Sequence, residues 1–131
     1  MSAAKTTPLD AARYVNLETF KKSGAGVKTP VWAAPLDGKL VIFSEGTAFK
    51  VKRLRNDARI RIAACDMRGG VAPDATWYEG TGRIIEDAGE IQRALAALGA
   101  KYGWQMKVTN FGARVTGRFA KRAYLEITLA S

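Results

Sequence analysis

The sequence predicts a mainly β fold, an antiparallel barrel with peripheral helices. Three observations carry this reading. Short segments that alternate apolar with polar or small residues outnumber helical patterns. Turn residues separate those segments closely. Asp37-Gly38 lies between two of them, and that dipeptide suits the left-handed conformations of a two-residue hairpin. At 131 residues, with 47% hydrophobic and 25% charged, the chain reads as one domain, 1–131, long enough for a real core.

The elements follow in order. Pro8 to Tyr14 reads as a short helix and Val15 to Lys21 as a strand. From Lys28 to Phe43 two strands flank the Asp37-Gly38 turn. Ser44, Glu45, Gly46 and Thr47 then offer a helix cap and open backbone N–H groups, and a short helix rich in cations follows, with Lys50, Lys52, Arg53 and Arg55. Arg59 to Cys65 is a strand in which Ile60, Ile62 and Ala64 alternate with Arg59, Arg61 and Ala63. Met67 to Ala75 is a loop. Thr76 to Glu86 is a long strand, and its Gly80 and Gly82 mark a bulge or a close backbone approach. Ala88 to Tyr102 is the clearest helix, with Ile91, Leu95, Leu98 and Tyr102 in one stripe and Lys101 on the polar side. Tyr124 to Leu129 closes the series as a strand.

Composition prunes the chemistry. The chain has no His, which removes Ser-His and Cys-His nucleophiles and His-ligated zinc or haem. A single cysteine, Cys65, makes neither a thiolate cluster nor an internal disulfide, and it fits a reducing compartment. No metal site is expected. No apolar run approaches a membrane span, and the first ten residues lack the apolar core of a signal peptide, so a cytoplasmic location is expected. The net charge of +9 concentrates in Lys50 to Arg61 and in Arg114 to Arg122. No nucleic-acid motif accompanies it, so an anionic small molecule is the expected partner rather than DNA or RNA. A helix start beside Lys50, Lys52 and Arg53 is such an anion site, and Ser44 either bonds a phosphate there or caps the helix. Chemistry of any kind would rest on a bound organic cofactor.

Five stretches, taken together, resemble one family. They are Asn16-Leu17-Glu18-Thr19-Phe20-Lys21-Lys22-Ser23-Gly24, Thr29-Pro30-Val31-Trp32, Lys50-Val51-Lys52-Arg53-Leu54-Arg55-Asn56-Asp57, Cys65-Asp66-Met67-Arg68-Gly69 and Glu79-Gly80-Thr81-Gly82. In this order and spacing they look like the flavin-binding split barrels that include pyridoxamine 5′-phosphate oxidase. Within that group they look most like its small flavin- and deazaflavin-dependent oxidoreductases. Ala58 departs from the pattern, which commonly has Pro there. The resemblance implies an FMN-binding split barrel of antiparallel Greek-key type. It implies a homodimer with the cofactor in a groove between chains. It implies hydride transfer between the deazaflavin F420 and a small organic substrate, with FMN as the alternative cofactor, and it assigns no side chain as general acid or base. Lys28, Thr29, Pro30, Val31, Phe43, Ser44, Lys50, Lys52 and Arg53 are the cofactor-binding positions it implies. A cofactor carrier without turnover is a second reading of the same groove.

Overall fold

The computed structural model describes residues 8–44, 48–117 and 122–130, with the side chains of residues 48–50 excluded. Among the described residues, four helices and seven strands follow in the order α1 (Pro8–Ala11), β1 (Tyr14–Phe20), β2 (Gly26–Val31), β3 (Ala33–Leu36), β4 (Lys39–Ser44), α2 (Ala48–Asn56), β5 (Arg59–Cys65), β6 (Tyr78–Ile85), α3 (Ala88–Tyr102), α4 (Trp104–Val115) and β7 (Ala123–Leu129). The strands form one sheet ordered β2-β1-β5-β6-β7-β4-β3, and every pairing is antiparallel.

The two edge strands of this sheet, β2 and β3, are consecutive in the chain and separated only by Trp32. The sheet therefore curls until its edges meet at that corner, which is the barrel the sequence predicts. The stretch from Lys28 to Leu36 thus divides into β2 and β3, where a single strand was expected. Pro30 and Pro35 both lie on edge strands, where a missing N–H costs least. The β3–β4 hairpin turns at Asp37 and Gly38 with φ of 54° and 77°, the left-handed pair expected there.

Two cores result. The first fills the barrel with residues such as Val15, Leu17, Ile42, Ile60, Ile62 and Ile127. Leu54 of α2 enters it beside Ile60, and Leu9 of α1 enters near Ala64, so the two helices close opposite ends of β5. The second core lies outside the barrel, where α3 covers β3 and β4 and α4 packs beside α3. Ala94, Leu98, Tyr102 and Met106 pack there on Ala34 and Val41. Ile91, Leu95, Leu98 and Tyr102 follow the expected stripe.

Helix α4 has no counterpart in the sequence reading. Only Met106 and Ala113 of this helix are buried, and its largest apolar side chains point away from the core. Lys101 also departs from expectation. It bends back along α3, and its ammonium donates to the carbonyls of Leu9, Ala12 and Ala33 at 3.5, 2.7 and 2.5 Å. No helix among the described residues is long and apolar enough to cross a membrane.

Candidate functional site: a cationic cleft between β1 and α2

A cleft of about 330 Å³ opens where β1 ends and α2 passes over it. Phe20, Lys21, Lys22, Lys52, Arg53 and Asn56 line it. Four of these six are cations and none is acidic, so the cleft favours an anion. The turn after β1 supplies Lys21 and Lys22. It is closed by Lys21 N–H to Ala25 O and Gly24 N–H to Lys21 O, each 2.9 Å, with Gly24 at a φ of 92°. Helix α2 supplies the other cations. Leu54 anchors its apolar side in the barrel, which leaves Lys52 exposed and Arg53 half-buried. Arg53 is aimed by a second contact: its Nε donates to Thr19 Oγ1 at 2.7 Å, and Thr19 is buried.

Phe20 joins the cleft to the outer face of the sheet. The Arg59 guanidinium sits 4.9 Å from its ring centroid. One cross-strand row along, Glu18 lies opposite Lys28 on β2 and Arg61 on β5. Glu18 is buried, and Arg61 Nη1 donates to it at 3.2 Å. Lys28 and Arg61 both approach the Trp77 ring, at 5.0 and 5.1 Å. Cations and aromatic faces therefore alternate along this surface.

The expected site residues divide into groups. Lys52 and Arg53 share the cleft, although helical spacing alone points them apart. Lys28 and Pro30 are exposed on β2, Thr29 is half-buried, and Val31 is buried in the barrel core. Ser44 is buried at the end of β4. Phe43 lies elsewhere, in the second core, edge-on to Trp32 at 5.9 Å and beneath Arg122 at 4.4 Å. Lys50 falls on α2, but its side chain lies outside the described residues, as do Glu45, Gly46 and Thr47. The sequence reading did not assign Lys21, Lys22, Phe20 and Asn56 to a site. The signal available for them was a doubled lysine at a strand end before Ser23-Gly24. Arg55 leaves the cleft and pairs with Glu86 at 3.4 Å, and Arg59 pairs with Asp57 at 2.8 Å. The Arg59 hydrogen bond holds the half-buried Asp57 carboxyl below its usual range. Asp66, at the start of the following loop, accepts from the N–H groups of Arg68 and Gly70, each at 2.8 Å, and so shapes that loop. Burial, with Asp66 adding to it, pushes the Cys65 thiol above its ordinary range, the opposite of an activated cysteine.

No protein-family model matches this chain, and no curated protein sequence matches it. Solved structures do. The heme storage protein HutZ of Vibrio cholerae superposes with a TM-score of 0.69 at 9% identity, over 94% of this chain and 85% of that one. A protein of Clostridium acetobutylicum related to general stress protein 26, of the pyridoxinephosphate oxidase family, gives 0.64 at 14% identity, over 92% and 78%. A FAD-binding protein of Mesorhizobium loti gives 0.60 at 18% identity, over 94% and 85%. Likeness at these identities establishes the fold: the chain is a split barrel of the kind seen in pyridoxamine 5′-phosphate oxidase-like proteins.

Proposed function

We propose that this protein is an oxidoreductase that binds a flavin-type cofactor, the deazaflavin F420 in first place and FMN as the alternative, and acts on a small organic substrate. The observation that carries the reading is a cleft at the rim of a split barrel whose described lining holds four cations and no acid. The resemblance of the α2 and Thr29-Pro30-Val31-Trp32 stretches to deazaflavin users supports it, as does a FAD-binding neighbour of the same fold.

The residues present fit the anionic end of such a cofactor. Arg53, oriented by Thr19, offers its guanidinium to a phosphate, and Lys21, Lys22 and Lys52 surround the same space. A volume near 330 Å³ lies at the low end of ligand sites, too small to enclose a three-ring system as well. We therefore propose that a second copy completes the site as a homodimer. β2, an edge strand with exposed Lys28 and Pro30, would flank the ring. A bound deazaflavin supplies the hydride chemistry itself. The chain binds it, orients it and adds positive potential.

Among the described residues, no carboxylate lines the cleft. This favours direct hydride transfer without a protein acid or base, and equally a carrier without turnover. The test is to load the protein with the deazaflavin and supply candidate donors. Loss of the cofactor's visible absorption at a rate above that of free cofactor supports the enzyme. Tight binding with no acceleration across donors leaves the carrier reading.

A further inference from the structure

We propose that α4 is a self-association element that pairs antiparallel with α4 of a second copy. The buried side of this helix is settled by Met106 and Ala113. Its opposite side carries Trp104, Val108, Phe111 and Val115, which are 71%, 62%, 70% and 70% exposed. At about 100° per residue these four fall within an arc of roughly 60°, nearly opposite the buried pair. Their spacing of four, three and four is the seam of a two-helix pair. A helix that packs on a protein core presents a broader apolar face, of about 100° or more, whereas a narrow stripe is the seam of a helix pair.

The seam complements itself under a two-fold axis. When two copies run antiparallel about the point between Thr109 and Asn110, Trp104 faces the second copy's Val115, and Val108 faces its Phe111. Each layer then holds one aromatic ring and one valine. A parallel pairing would stack ring on ring and valine on valine. Two aromatic rings and two valines offer apolar area of the order of 500 Å² per chain. A standard interface uses about 800 Å² per partner, so this contact falls in the size range of weak, transient association. Lys107 and Arg114 fall along one flank of the seam, and α4 carries no acid. Pairing brings like charges together on that flank, so salt strengthens it.

This surface shares no residue with the cleft of β1 and α2, and the inference does not depend on the cofactor. Cross-linking tests it. Cys65 is replaced by Ser, and a single cysteine is introduced as Val108→Cys or as Val115→Cys. In the antiparallel pair the two copies of residue 108 stand about 4.5 Å apart along the axis, and those of residue 115 about 16 Å apart. A bis-maleimide that reaches one helix spacing, about 8–10 Å, should link the Val108→Cys chains at least tenfold more than the Val115→Cys chains. The yield should rise with salt, and adding Phe111→Glu, an exposed position, should abolish it while the circular dichroism stays unchanged. Equal linking at both positions, or none at either at 100-micromolar order, overturns the proposal. So does sedimentation with anionic vesicles that weakens with salt and removes the cross-link, which would assign the stripe to a membrane surface.

Discussion

Arg53 reaches the cleft with its guanidinium already tethered through Nε to Thr19. The tether fixes the fork before any ligand arrives, so less side-chain freedom is lost on binding. Arg53→Ala should weaken cofactor binding by about 1.5–3 kcal/mol, the range for hydrogen bonds to charged groups. Thr19→Val should lose less, because the charge remains and only its aim is relaxed. Arg93→Ala, at a position paired with Asp37 away from the cleft, should leave affinity unchanged in the same titration. Equal losses at Arg53 and Arg93 would show only the field of the net charge. A second residue gives a pH signature. Burial pushes the Lys101 pKa down to about 8 from 10.5, with Asp10 pulling upward and Arg13 downward. Between those values the unfolded chain holds more protons than the folded one, so this group makes stability rise with pH across that window. Below pH 8 both states carry the proton, and the contribution is flat. Thermal unfolding at pH 7.5 and pH 10 should show the rise in the native chain and its loss in Lys101→Met. An identical profile in both would mean that the three carbonyls hold the ammonium charged in the fold.

Two glycines of β6 separate element packing from side-chain packing. The register of β6 on β7 runs unbroken from Gly80↔Leu129 to Ile85↔Tyr124, so there is no bulge, and a close approach accounts for both glycines. A Cβ on Gly80 would stand 2.3 Å from the carbonyl oxygen of Thr128, which is backbone. A Cβ on Gly82 would meet Leu54 Cδ2 at 3.0 Å and Ile127 Cδ1 at 3.2 Å, which are side-chain tips. Gly80→Ala should therefore cost about 1–3 kcal/mol, the range for overpacking, and more than Gly82→Ala. Urea denaturation measures both, and the reverse order would contradict this packing. The elements also show what was legible. Arg59–Cys65 and Ala88–Tyr102 stand within the expected bounds, because period and burial agree there. The Asp37-Gly38 turn was legible because its chemistry is local. The corner at Trp32 was not, because closure of a sheet edge is a long-range event that leaves the strand pattern intact. Helix α4 was not, because its apolar stripe faces outward while β-branched residues and Gly112 weaken its helical signal.

At the scale of the molecule, the +9 charge has a place to act. The charged stretch from Lys50 to Arg61 was legible, but its division was not. Arg55 and Arg59 are taken by Glu86 and Asp57, whereas Lys21 and Lys22 come in from the turn after β1. Pairing of that kind depends on which strands the sheet brings together. The central claim is that this cleft holds the anionic end of a flavin-type cofactor. It is tested most directly by titrating the deazaflavin and FMN separately into the native chain and into the Lys52→Ala/Arg53→Ala double variant, at low and high salt. The account predicts tighter binding of the deazaflavin at low salt, with the gap over FMN narrowing as salt rises. It predicts that the double variant loses roughly a hundredfold, about 2.7 kcal/mol, while its thermal stability is kept. Binding of neither cofactor, or an affinity that the double variant leaves untouched, would contradict it.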